Sequence, residues 1–169
     1  MINSNYWKWL YAWDVYMANY DQYGYDLGLT NTAGSLQPMD VGHDGGGETY
    51  SAKNRKFAFE LSAIFGSGTN ELTVNDYNLS NDISSNITIN SVNCTSSGTE
   101  NGLHRTIAIS GSNTSEQAIT IRQVGITKNI YSNSGNRNSY VMMGAFNLAS
   151  PITVQPNDQF IINIEWTEE

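Results

Sequence analysis

Cysteine is almost missing from this chain of 169 residues. Cys94 stands alone, so neither an intramolecular disulfide nor a multi-cysteine metal site can form. Basic charge is scarce: 8 Lys and Arg face 16 Asp and Glu, for a net charge of -8 and a pI near 4.6. That balance excludes a sequence-independent nucleic-acid binder, whose footprint on phosphates is basic. No apolar run approaches the roughly 18 residues that cross a bilayer. The start, Met1-Ile2-Asn3-Ser4-Asn5-Tyr6-Trp7-Lys8-Trp9, lacks the basic and then apolar regions of a secretory signal. The four Asn-x-Ser/Thr triplets, at Asn78, Asn86, Asn93 and Asn113, therefore read as chance products of a chain rich in those residues.

Charged residues make up 14% of the chain, against 39% hydrophobic and 11% aromatic. Polarity is left mainly to Asn, Ser, Thr, Gly and Gln. The length suits one domain able to bury a core without staples.

The chain reads as an aromatic arm and Gly-rich connection over residues 1–50, followed by a β-patterned body over residues 51–169. In the arm, Trp9, Trp13, Tyr16 and Tyr20 share a helical face, while Trp7, Trp9, Tyr11, Trp13, Val15 and Met17 fit strand alternation. Both periods fit; a short helix from Ser4, a suitable N-cap, to about Met17 is preferred. Residues 21–50 carry Gly24, Gly28, Gly34, Pro38, Gly42 and Gly45-Gly46-Gly47, which predicts an extended or looped connection.

From Lys56 the period becomes two. Phe57, Phe59, Leu61, Ala63 and Phe65 alternate until Gly66-Ser67-Gly68. Ile87 and Ile89 lead to Val92 across two residues, which predicts a bulge or a change of face. Leu103, Arg105, Ile107 and Ile109 follow an Asn101-Gly102 turn. Ile119, Ile121 and Val124 come next, then Ile130-Tyr131, the loop Ser132 to Asn138, and Tyr140 to Met143. Phe160, Ile162, Ile164 and Trp166 close the series after the Pro156-Asn157-Asp158 turn. About seven strands joined by short polar loops predict an all-β antiparallel sandwich, jelly-roll or immunoglobulin-like, with a short N-terminal helix or arm.

Chemistry-bearing patterns are sparse. Nucleophile elbow, Walker loop, zinc-protease helix and dinucleotide fingerprint are all missing. Cys94 and His104 are expected to be structural rather than a nucleophile–base pair. His43-Asp44 beside three glycines reads as a loop. The segment Asp76 to Asp82 resembles half a calcium loop. Its sixth position is Asn81 rather than Gly and its twelfth is Ile87 rather than Glu, so a turn is expected. Glu60, Glu71, Glu100, Glu116 and Glu165 are scattered and read as surface acids. The expectation is a non-enzyme with no cofactor and no metal. The arm residues Tyr6, Trp7, Trp9, Tyr11 and Trp13 are the candidate interaction surface, either for another subunit or for stacking on a sugar.

Several segments taken in order resemble small β-sandwich virion proteins of tailed bacteriophages. Gly66-Ser67-Gly68-Thr69-Asn70 with Asp76-Tyr77-Asn78-Leu79 is similar to their "GxGT…DYNL" stretch. Glu116 to Ile121 with Val124-Gly125-Ile126 resembles "PITI-x-EVGL", and Ser150 to Asp158 resembles "SPVTVxPGD". Asn3 to Lys8 looks like a "NNYYK" start. The resemblance covers roughly residues 66–167 and departs at Gln123, where an acid is common, and at Asn157, where Gly is common. It implies a head- or tail-associated accessory subunit, assembled in the bacterial host cytoplasm and localised to the virion. Partners would be copies of itself and other capsid or tail proteins, with no nucleic acid and no membrane. A carbohydrate-binding or host-attachment module, contacting a host surface glycan, is the alternative.

Overall fold

The structure, a computed structural model, describes residues 1–18, 27–39, 57–58, 60–99, 102–131 and 138–168. Gly42, His43, Asp44, the Gly45–Gly47 run, Phe59, Glu100, Asn101 and the loop 132–137 lie outside the described residues, as does the side chain of Trp13.

The protein is an all-β antiparallel sandwich with one N-terminal helix, α1 (Ser4–Ala18). A small hairpin pairs β1 (Leu27–Thr30) with β2 (Leu36–Met39). One sheet of the sandwich holds β3 (Leu61–Gly66), β6 (Ile119–Tyr131) and β7 (Asn138–Val154), ordered β3-β6-β7. The other holds β4 (Ile87–Thr99), β5 (Gly102–Asn113) and β8 (Gln159–Glu168), ordered β4-β5-β8. Phe65 on β3 meets Phe160 on β8 at 5.4 Å between ring centres, across the interior. There they join Ile107, Ile109, Ile121, Val124, Ile126, Ile162 and Ile164 in one apolar cluster.

The alternation of β8 sets its faces. Phe160, Ile162, Ile164 and Trp166 are buried and the residues between them exposed. The register of β4 on β5 shifts between Ile89 and Ser91, where the sequence spacing predicts a bulge. The outer face of the β3-β6-β7 sheet is buried as well. Leu72 and Leu79, from the segment between β3 and β4, pack there on Met142 and Ala145. With both faces covered, β6 buries Gln123, Thr127, Lys128 and Asn129. Gln123 is satisfied at both ends: Nε2 donates to Asn70 O at 2.8 Å and Asn147 Oδ1 at 3.0 Å, and Oε1 accepts from Ser80 Oγ at 3.2 Å. A carboxylate there could not donate to Asn70. Asn157, with φ of 66°, takes the left-handed turn conformation that Asn tolerates.

Several elements differ from the sequence expectation. β3 begins at Leu61 rather than Phe57, since Phe57 and Ala58 lie in a turn and Glu60 has φ of 51°, and β6 runs unbroken from Ile119 to Tyr131. The region read as a looped connection contains the β1–β2 hairpin, whose four-residue strands include Gly28 and Pro38 and show no period. β7 is a single strand running through Pro151, which lies where the β6–β7 register jumps between Ile121/Ile152 and Gln123/Asn147. Proline is tolerated there because no ladder bond is asked of it. The helix cap is Asn3 rather than Ser4: Asn3 Oδ1 accepts the Asn5 amide at 2.9 Å.

Asn5 then ties three elements together. Its Nδ2 donates to Thr30 O at 2.8 Å and Met142 O at 3.2 Å, while Oδ1 accepts from Thr30 N at 3.0 Å. Replacing it strands three backbone groups, that of Met142 buried and the two of Thr30 partly buried, each costing about 1–3 kcal/mol when buried and unsatisfied. Asn5→Leu is therefore expected to lower stability by about 3 kcal/mol or more, read as a drop in the urea midpoint. A midpoint within error of the parent would show that the clamp carries no stability.

Candidate functional site

The arm is placed by backbone pairing before any side chain acts. Met1 N donates to Ala145 O at 2.7 Å, Ala145 N to Met1 O at 2.9 Å, and Asn3 N to Met143 O at 2.9 Å. Residues 1–3 thus extend the sheet beyond β7. Ser4 N reaches Val74 O at 2.7 Å, and Asn3 Nδ2 donates to Asp76 O, so the start of α1 is held on two sides.

Successive helical residues turn by about 100°, so Asn5, Tyr6 and Trp9 share one side and Trp7, Leu10 and Tyr11 the opposite side. The first side is buried. Tyr6, with no exposed surface, lies edge-on to Trp166 at 5.2 Å and to Phe57 at 5.5 Å. Trp9 sits 5.6 Å from Tyr6 and 5.9 Å from Phe57. Phe146 approaches Trp166 from β7 at 5.7 Å. Arg105 enters this cluster from β5: its guanidinium stands 4.5 Å over Phe57, and Nη1 donates to the Tyr6 hydroxyl at 3.2 Å. Burial raises the Tyr6 phenol above its ordinary pKa, against a smaller opposing effect of Arg105. Among the described residues the indole Nε1–H of Trp166 meets no acceptor, and its ring is held by packing against Tyr6, Phe57 and Phe146. Space for the ring comes from Gly144, where a Cβ would fall 2.7 Å from Trp166 Cζ3.

The second side faces outward. Trp7 is 48% exposed and Tyr11 63%, with partly exposed Leu10 between them. The five arm aromatics picked out from sequence therefore separate. Tyr6 and Trp9 pack inside their own chain, Trp7 and Tyr11 remain at the surface, and the Trp13 side chain is outside the described residues. Sequence reasoning missed Leu10, although its spacing of three from Trp7 was visible. It also missed Arg105 as a buried cation, signalled by a lone charge in the series Leu103, Arg105, Ile107, Ile109.

Elsewhere the reactive side chains are kept apart. Cys94 pairs with Ile107 and packs toward the core, while His104 pairs with Ser97 and faces out, 3.3 Å from Thr167 Oγ1. Burial raises the Cys94 thiol pKa, opposed by a hydrogen bond with Ser96 and by Arg105. Asp76 caps its own loop, accepting from Thr73 N at 2.7 Å and Thr73 Oγ1 at 2.9 Å. Asp82 does the same for Ser84 N at 2.8 Å. Their carboxylates serve turns rather than a shared cation. Among the described residues, no three of His, Cys, Asp and Glu are placed to hold a metal ion, and no helix is long and apolar enough to cross a membrane.

Comparison with protein-family models, curated proteins and solved structures finds no match to this chain.

One ionisable group inside the sandwich is displaced far from its ordinary state. Lys128 is fully buried on β6 opposite Leu61 and Val141. Burial pushes its ammonium down from 10.5 to about 8, against an opposing attraction to Glu60. Below pH 8 the lysine is protonated in both folded and unfolded chains, and the fold bears the cost of burying the charge. Between pH 8 and 10.5 the unfolded chain holds the extra proton, so stability rises with pH, by up to about 3 kcal/mol. The measurement is urea unfolding at steps from pH 7.5 to pH 9.5, below tyrosine ionisation. The wild type is expected to gain stability over that range relative to Lys128→Met. Parallel pH profiles would remove Lys128 as the cause.

Proposed function

We propose that this chain is a non-enzymatic structural subunit of a tailed-phage virion, associated with the head or tail and acting through contacts with its own copies and with other virion proteins. The observation that carries this reading is the stripe Trp7, Leu10 and Tyr11. A helix already docked through Tyr6 and Trp9 keeps a second aromatic face in water. Tryptophan and tyrosine are enriched at the buried centres of protein interfaces, and such faces on a monomer mark interaction sites. The motif-like segments fit the same reading, since Asp76 to Leu79 forms the plug over the β3-β6-β7 sheet. Assembly in the host cytoplasm accords with the lone thiol.

The test separates the two helix faces. Trp7→Ser with Tyr11→Ser is expected to cost at most about 1.5 kcal/mol, chiefly the edge contact of Trp7 with Tyr6 at 5.6 Å, while abolishing incorporation into particles, followed by mass spectrometry of purified virions. Trp9→Ala, by contrast, should cost about 3–5 kcal/mol in stability. Purified virions lacking wild-type peptides of this chain would overturn the reading.

A second reading, the carbohydrate-binding or host-attachment module, has a different site in its favour. Tyr77, 46% exposed, rests against Gly34, whose hypothetical Cβ lies 3.1 Å from the ring. It borders a cleft of about 330 Å³ with Asn70, Glu71, Asn75 and Asn78. An aromatic ring beside amide and carboxylate groups is suited to a neutral pyranose. Screening on a glycan array should give binding that Tyr77→Ala abolishes; an array with no signal removes this reading.

A further inference from the structure

The two sheets treat their edges differently. The outer side of β3 is closed by its own chain, with Ile83 N donating to Phe65 O at 2.9 Å and a bridge between Gly66 and Asp82. The outer side of β7 is closed by Met1 to Asn3 and by Thr32 N on Tyr140 O at 3.1 Å. In the other sheet, β4 carries the register break at Ile89/Ser91 along its length. β8 carries nothing of the kind. Its ten residues pair with β5 without interruption from Gln159/Ser112 to Glu168/Leu103, and contain no proline, lysine or bulge. Among the described residues no backbone hydrogen bond reaches its far side. Edges of that length and regularity template strand addition, and of the features that guard them in monomeric proteins β8 has only the charges of Glu165 and Glu168 near its end.

The side chains on β8 also suit a copy of themselves. Ile161, 71% exposed, Asn163, Glu165 and Thr167 alternate along its outward face. They continue into a nearly uncharged surface: Ser91 and Ser110 bond at 2.8 Å, and Thr106 Oγ1 donates to Glu165 at 3.2 Å. We propose that β8 is the seam at which a second copy of this chain adds, antiparallel, about a two-fold axis at Asn163. This rests on the assembly reading above and names its first contact. In that register Asn163 faces its own copy, amide to amide, Ile161 faces Glu165, and Gln159 faces Thr167. From Gln159 to Thr167 no carboxylate opposes a carboxylate, Glu168 falls beside Asp158 of the copy only at the fraying end of the ladder, and the Glu165 stem covers the exposed Ile161. On the inner side Ile162 falls beside Ile164 and Phe160 beside Trp166, so the two apolar layers become continuous. A symmetric pair of this kind closes on itself and forms no open filament.

Sedimentation of the wild-type chain at concentrations up to about 100 µM is the first arm. Ile161→Lys with Asn163→Lys, both exposed positions, is the second, with its thermal midpoint confirming the fold. Wild type is expected as a dimer, tighter at high salt because each copy carries a net charge of -8. The lysine variant should dissociate at least about tenfold more readily. Hydrogen exchange should show β8 amides gaining protection as concentration rises. A wild-type dimer unaffected by the lysines, or β8 amides indifferent to concentration, overturns the seam and leaves the assembly reading standing. A monomeric wild type overturns the seam too, and incorporation into virions then decides the assembly reading on its own.

Discussion

One buried carboxamide joins α1, β1 and β7. Asn5 stands on the first turn of α1 and is simultaneously bonded to β1 through both polar groups of Thr30 and to β7 through Met142 O. β7 is held independently by its ladder on β6, but the hairpin has only Thr32 N on Tyr140 O and the bridge of Asn31 to Val141 beside this clamp among the described backbone bonds to β7. β1 and β2 are four residues each, too short to persist as an isolated hairpin. A helix of 15 residues is marginal in water without packing. The clamp makes the three elements one cooperative unit, with the cap at Asn3 fixing where the helix begins.

The same device recurs away from the arm. Asn113 Nδ2 donates to Gln117 O at 2.8 Å and Val154 O at 3.0 Å, while its Oδ1 accepts from Ser115 N at 2.9 Å. That pins the β5–β6 crossing to the end of β7. Gln123 joins β6 to the plug over its sheet. A carboxamide presents donor and acceptor together and carries no charge, so its burial avoids the desolvation cost of an ion. A chain low in charge and rich in amides can therefore staple crossing strands from inside. Lys128 shows the contrast: a buried ammonium on the same strand is driven toward its neutral form.

Legibility of the fold followed burial. β8 was readable because only one of its faces is covered, and the bulge in β4 because Ile89 and Val92 break the period. From sequence β6 and β7 read as shorter pieces because both faces of their sheet are buried. Buried polar residues at Gln123, Thr127 and Asn129 erase the apolar alternation that marks a strand. Pro151 reads as a stop, yet it occupies a register jump. The β1–β2 hairpin owes its position to a side chain on another element, which no local window contains. For the candidate site, the aromatic character of the arm was plain, but its division into a docked and an outward face was not. That division rests on Gly144 and Trp166, far along the chain.

The rotation of α1 about its own axis is what presents Trp7 and Tyr11. Aromatic residues occupy both sides of the helix, so apolar content alone does not select which side docks. Turning the helix by half a revolution would still bury two large rings. It would also carry Asn5 away from Thr30 and Met142 and the Tyr6 hydroxyl away from Arg105 Nη1. The polar contacts, individually modest, break the tie between two hydrophobic solutions. Burial of Tyr6 and Trp9 supplies the affinity of the arm for its own sandwich, and the amide clamp supplies its orientation. An outward aromatic stripe is then a fixed consequence of the fold rather than surface left over from it.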